Sequence, residues 1–186
     1  MRYNKITVDI ALIGMFTALI TICSWISFPF LGIPASLQTF AIFITTNVLG
    51  AKKGTMSVLV YILLGIIGVP VFSGFKSGPS AIFSATGGYI IGFAFAVFVA
   101  GLLIKKLPDK NWAKAVSMGI GQIICYISGV IWYSLVFVKN DNVNLALTFS
   151  LCVAPFILPD IIKIVAALFL SNAVRRVLKK QNIDID

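Results

Sequence analysis

Apolar residues fill long stretches of this chain, and polar residues collect in short clusters between them. Runs at about 8–26, 36–50, 55–69, 86–104, 115–138 and 148–174 carry almost no charge. The longer ones match the roughly 20 residues that an α-helix needs to cross the hydrocarbon core of a bilayer. The pattern predicts an all-α, polytopic membrane protein with six transmembrane helices in a compact bundle, a single domain over residues 1–186. Pro29, Gly32 and Pro34 end the first run, because proline removes a helical donor and its ring clashes with the preceding turn. Lys52 and Lys53 divide the second run from the third. Those two runs are short for a span, so the segments beside them are candidates to dip into the membrane. Irregular backbone is tolerated there only inside protein or beside a water-filled cavity. The segment PVFSGFKSGPSAIFSA, residues 70–85, is the most irregular part of the chain, and Pro155 and Pro159 interrupt the last run. Arg2 and Lys5 ahead of an apolar run imitate a signal peptide. The run continues without a small-residue cleavage site, so it reads as a retained first helix.

Charge sets the orientation. With six spans, both termini, the connection between spans two and three and the connection between spans four and five share one side. That side carries Arg2, Lys5, Lys52, Lys53, Lys105, Lys106, Lys110, Lys114, Arg175, Arg176, Lys179 and Lys180, against Lys76 and Lys139 on the other. Lysine and arginine accumulate in cytoplasmic loops, so both termini are predicted to be cytoplasmic, and a count of five or seven spans spoils the pattern. Composition agrees: 59% of residues are apolar and the mean hydropathy is +1.02, where soluble domains hold about 45–50%. Six spans leave no room for a separate soluble catalytic domain. A net charge of +9 would suggest nucleic acid in a soluble protein. Here the basic residues lie between apolar segments, so membrane orientation explains them and no nucleic-acid partner is expected. Cys23, Cys125 and Cys152 sit in separate apolar runs without zinc or redox spacing and read as small buried hydrophobes.

Candidate chemistry is sparse and confined to the outer half. Of the six acidic residues, only Asp160 lies well inside an apolar run, and Lys163 follows it on the same helical face. A charge in hydrocarbon costs about 3 kcal/mol or more by insertion scales unless it is paired or solvated, which marks the pair as a ligand site near the outer surface. Gln38, in the first outer connection, brings an amide that needs partners for two donors and an acceptor. The outer segment 70–85 offers glycine for close backbone approach, while Phe72, Phe75 and Tyr89 can cover an apolar ring. Three outer features from separate parts of the chain can thus close one cavity. With no histidine and no glutamate, zinc-protease motifs and most acid–base pairs are excluded. No glycine precedes a lysine, so a phosphate loop of the GxxxxGK[ST] type is absent; transport, if that is the role, is passive or powered by a partner. Gly14 and Ala18, with Ala11 nearby, form a small-residue face on the first span, and Gly88 and Gly92 form another on the fourth.

The segments IPASLQTF (33–40), GVPVFSGFKSG (68–78), TGGYIIGF (86–93) and APFILPDIIK (154–163) resemble, in order and over nearly the whole chain, the BioY family. Its members are biotin-specific substrate-binding subunits, or S components, of energy-coupling factor (ECF) transporters. The resemblance implies a six-helix bundle in a prokaryotic cell membrane that captures biotin in an outward-facing cavity. It implies no enzymatic activity and no cofactor, and it names as partners a transmembrane coupling subunit and two ATP-binding-cassette ATPases, which fits the missing phosphate loop. Gln38, Phe72, Ser73, Gly74, Thr86, Tyr89, Asp160 and Lys163 are the implied ligand-binding residues, with Asp160 meeting a ureido N–H and Lys163 the carboxylate or the ureido oxygen. Ser73, Gly74 and Gly78 are expected to hinge a lid, and Ala11, Gly14 and Ala18 to dock the coupling subunit. An S component for thiamine or riboflavin, or a small membrane enzyme, are the alternative classes.

Overall fold

The computed structural model describes residues 5–30, 33–136 and 145–181. Arg2, Leu31 and Gly32, the loop at 139–144 with Lys139 and Asp141, and Asp184 and Asp186 lie outside the described residues. The elements follow one another as α1 (Lys5–Trp25), β1 (Ser27–Phe30), β2 (Ile33–Ser36), α2 (Gln38–Ile66), α3 (Pro79–Ile82), α4 (Gly87–Lys106), α5 (Asn111–Val136), α6 (Leu145–Cys152) and α7 (Ala154–Lys180). Among the described residues, five helices are long and apolar enough to cross a membrane, the last being the continuous stretch of α6 and α7 from Thr148 to Lys180.

The long α2 is two limbs rather than one rod. Gly50 breaks it with φ 69° and ψ −165°, a conformation open in practice to glycine alone. The chain then doubles back. Gln38 Nε2 donates to the Tyr61 hydroxyl at 2.9 Å, whereas a straight helix would hold those residues about 35 Å apart. A Cβ on Gly54 would lie 3.6 Å from the Thr45 carbonyl oxygen. The limbs 38–49 and 51–66 are therefore the second and third passes, and the chain crosses six times. The turn falls on Gly50 rather than on Lys52 and Lys53, because a tight reversal needs the backbone freedom that lysine lacks.

The first outer connection departs from the all-helical expectation. Ser27–Phe30 and Ile33–Ser36 form a two-stranded antiparallel ribbon with Pro29 opposite Pro34. Both strands are edges, where a missing proline N–H is tolerated, and Leu37 N–H donates to the Ile26 carbonyl at 3.0 Å to close the ribbon's base.

Packing centres on α2, which touches α1, α4 and α7, while α4 lies along α5. Ile20, Ile42, Val58, Tyr61 and Val97 are buried, yet Leu135 and Phe169 are as apolar and exposed. Hydrophobicity does not distinguish core from lipid face in a membrane; close approach of small residues does. A Cβ on Gly88 would come within 2.3 Å of Trp132 Cβ, and one on Gly92 within 2.8 Å of Ser128 Cβ. The Gly88–Gly92 face is thus used up inside the chain, against α5. Cys23, Cys125 and Cys152 are buried free thiols.

The basic connections meet at one end of the bundle. Lys53 pairs with Asp9 at 2.9 Å and Lys114 with Asp109 at 2.6 Å, Lys114 Nζ also donates to Asn172 Oδ1 at 3.2 Å, and Arg175 Nη1 donates to the Asn47 carbonyl at 2.7 Å. These contacts join the start of α1, the Gly50 turn, the α4–α5 loop and the end of α7. On a background without Cys23, Cys125 and Cys152, Lys110→Cys is expected to resist an impermeant thiol reagent until the cells are permeabilised. Asp141→Cys should react from outside. Labelling of position 110 in intact cells would refute the orientation.

Candidate functional site

At the opposite end from the basic cluster, the ribbon, α2, the 70–78 loop, α4, α5 and α7 enclose a cavity. Its polar centre is Asp160, which is 4% exposed. It directly follows Pro159 inside α7, whose ring leaves a carbonyl of the previous turn without its helical donor. Asp160 Oδ1 accepts from Lys163 Nζ at 2.9 Å and from Thr39 Oγ1 at 3.2 Å. Oδ2 accepts from Gln122 Nε2 and from the Tyr126 hydroxyl, each at 2.7 Å. A carboxylate offers about four lone-pair positions, so the four donors account for all of them. Lys163 Nζ also donates to the Ser36 carbonyl at 2.7 Å and to Thr39 Oγ1 at 3.3 Å, which uses the three hydrogens of an ammonium. The pair is electrically neutral and ties α7 to α2, α5 and the ribbon. That arrangement offsets the desolvation cost which an isolated buried charge would carry.

The rest of the wall is aromatic and amide. Gln38 is buried and its amide NH2 donates to Tyr61, as described above. Phe72 sits edge-on to Tyr61, ring centres 5.5 Å apart, and it reaches this place because residue 65 is glycine: a Cβ there would strike its ring. The Tyr89 hydroxyl donates to the Cys152 carbonyl, and the Thr86 and Ser84 hydroxyls lie 2.9 Å apart. Ser73 lines the cavity with a buried Oγ that has no partner.

Of the residues singled out from sequence, Gln38, Phe72, Ser73, Thr86, Tyr89, Asp160 and Lys163 share this one wall; Gly74 is not among the lining residues. Gly74 instead gives the loop a positive φ of 72°, next to Phe75 at 59°. Sequence reasoning passed over Thr39, Tyr61, Lys76, Gln122 and Tyr126 as wall residues. A signal for two of them existed: Gln122 and Tyr126 are four apart in an apolar span, which puts two polar groups on one helical face.

The 70–78 loop is fastened to its neighbours. Trp25 Nε1 donates to the Pro70 carbonyl at 2.8 Å, and the Trp25 ring stacks on Phe75 at 5.1 Å. Gly78 N–H donates to the Gly65 carbonyl at 2.7 Å. Far from the cavity, Ala11, Gly14 and Ala18 lie on an exposed face of α1, and a Cβ on Gly14 would meet nothing within 4 Å. The chain itself leaves this small-residue face uncovered.

Three comparisons bear on what the cavity takes. The BioY family profile matches residues 1–180. The biotin transporter BioY of Thermotoga maritima is 38% identical over 164 residues, covering 88% of this chain and 93% of that protein. The biotin transporter BioY of Rhodobacter capsulatus is 32% identical over 166 residues, 84% of this chain and 87% of that one. A crystal structure of the S component for biotin from an ECF-type ABC transporter is similar in fold, with a TM-score of 0.83, 27% identity and 95% of each chain covered.

Proposed function

The chain belongs to the BioY family, and on that premise we propose that it captures biotin at the outer end of the bundle and delivers it across the membrane as the S component of an ECF-type transporter. It is a multi-pass membrane protein and a transport protein rather than an enzyme. The reading extends to one membrane domain over residues 1–186, in the prokaryotic plasma membrane. Its partners are a transmembrane coupling subunit and two ATP-binding-cassette ATPases.

The observation that carries the reading is the charge and polarity of this outer cavity. Asp160 and Lys163 cancel each other, and Lys76, on the wall and exposed, adds one positive charge. A cavity with a net charge of about +1 suits a monoanion and opposes a cation, by the ordinary rule of complementary potentials. Biotin is a monoanion with an apolar ring, a strong carbonyl acceptor and two N–H donors. Thiamine is cationic and riboflavin is neutral. Phe72, Ile90, Phe93 and Phe156 supply apolar wall for the ring. Because the Lys163 hydrogens are engaged in the buried network, the exposed Lys76 is the better partner for the carboxylate. Titration calorimetry of the purified protein should give saturable binding with biotin and none with thiamine or riboflavin. Binding of either of those in place of biotin would overturn the reading.

The 70–78 loop acts as a lid over the ligand. Phe72 and Ser73 hang from it into the cavity, while the glycines at 74 and 78 adopt positive φ and permit a hinge. Bound biotin is expected to slow backbone hydrogen exchange across residues 72–85. Equal exchange with and without biotin would favour a fixed cavity.

A further inference from the structure

Gln122 stands one turn before Tyr126 on α5 and is 5% exposed. Its Nε2 donates to Asp160 Oδ2 at 2.7 Å. A carboxylate can only accept, so this contact decides which end of the amide is which: the NH2 group faces Asp160, and Oε1 is turned to the other side. Oε1 is buried and has no hydrogen-bond partner, although Gln122 is part of the cavity wall. An acceptor left unmade in a buried place is costly, so this wall asks its occupant for a donor. Asp160 makes no such demand, since all four of its lone-pair positions are taken by Thr39, Gln122, Tyr126 and Lys163. The other buried unpartnered group on the wall, Ser73 Oγ, is a hydroxyl that can donate or accept and therefore selects for neither.

We propose that Gln122 Oε1 receives a ureido N–H of the ligand, and that Asp160 is a positioning residue that holds the Gln122 amide in the accepting orientation. The proposal rests on the biotin reading and deepens it. It also fixes the direction of the ligand. The ureido ring lies inward against Gln122, and the carboxylate, which an acceptor oxygen would repel, lies toward the exposed Lys76.

The test uses biotin and two derivatives, each methylated on one ureido nitrogen, titrated into the purified protein. For the natural chain, methylation of one nitrogen is expected to weaken binding roughly 10- to 100-fold, the range for leaving one buried acceptor unmade. Gln122→Met keeps the side chain's length and removes both polar ends. It should bring biotin down to that weaker level and abolish the preference for biotin over the methylated derivative. In Asp160→Asn the Gln122 amide is free to turn its NH2 group toward the ligand, so the preference should shrink although Gln122 is intact. Adding Gln122→Met to it should cost little more than Gln122→Met alone, a coupling that general loosening of the bundle would not produce. If Gln122→Met does not fold, Gln122→Ser is read in the same way. A methionine or serine variant that keeps the full preference overturns the proposal. So does a natural chain indifferent to methylation at both nitrogens, a result that needs no variant. Absence of biotin binding by the natural chain would refute the functional reading itself, and that outcome is distinct from either.

Discussion

Asp160→Ala is expected to lower the stability of the folded protein by about 3–5 kcal/mol, the cost of stripping one partner from a buried ion pair, while Asp160→Asn folds and binds biotin weakly. The alanine removes the one group on which four donors converge. Lys163 then keeps a buried charge with only the Ser36 carbonyl and the Thr39 hydroxyl as acceptors. Net stabilities of whole domains lie at about 5–15 kcal/mol, so the loss is a large part of the total. Asparagine keeps the shape and one acceptor oxygen. Its effect on binding therefore reports on the site more than on the fold. Thermal unfolding in detergent, with and without biotin, separates the two. An alanine variant as stable as the natural chain would show that the carboxylate is not the hub that the geometry describes.

Gly14→Trp combined with Ala18→Trp is expected to abolish energised uptake while biotin binding in detergent stays within about twofold. The face carrying Ala11, Gly14 and Ala18 is exposed, and nothing in the chain approaches a Cβ built at Gly14. Two indoles there disturb no internal packing. They do keep a partner helix from the close contact that small residues permit, and in lipid that contact replaces the hydrophobic drive to associate. The variant should also fail to co-purify with a coupling subunit. Uptake at the natural rate would exclude this face. The Gly88–Gly92 pair is no fallback, since it already packs on Ser128 and Trp132.

What could be read from sequence followed from large energies. A charge in hydrocarbon is costly enough to announce itself, which is why Asp160 and Lys163 stood out, and lysine-bracketed apolar runs marked out the six helical passes. Neutral groups carry a weaker signal. Gln122, Tyr126 and Thr39 are compatible with an ordinary apolar span until the partner across the bundle is known, and that partner is set by tertiary packing. Gly74 shows the converse. Its glycine-rich setting pointed to the loop that borders the cavity, but the wall is made by Phe72 and Ser73 just before it. The ribbon at 27–36 was hidden because two prolines read as a break, and in the structure they face each other across a pair of edge strands.

The reversal at Gly50 has a consequence for how the protein is made. The limb 38–49 would be only about 18 Å long, against a hydrocarbon core of about 30 Å. It also carries Thr45, Thr46 and Asn47, all fully buried in the finished bundle. Emerging alone from the ribosome, it would present those groups to lipid and span too little of it to be retained. The limb 51–66 supplies the missing partner, with Tyr61 receiving the Gln38 donor and Gly54 fitting against Thr45 and Thr46. Residues 38–66 are therefore expected to integrate as one hairpin, with Lys52 and Lys53 at its tip. A nascent chain arrested just after Gly50 is expected to behave as a single-span protein in a protease-protection assay, with the next two crossings appearing together once synthesis has passed Ile66.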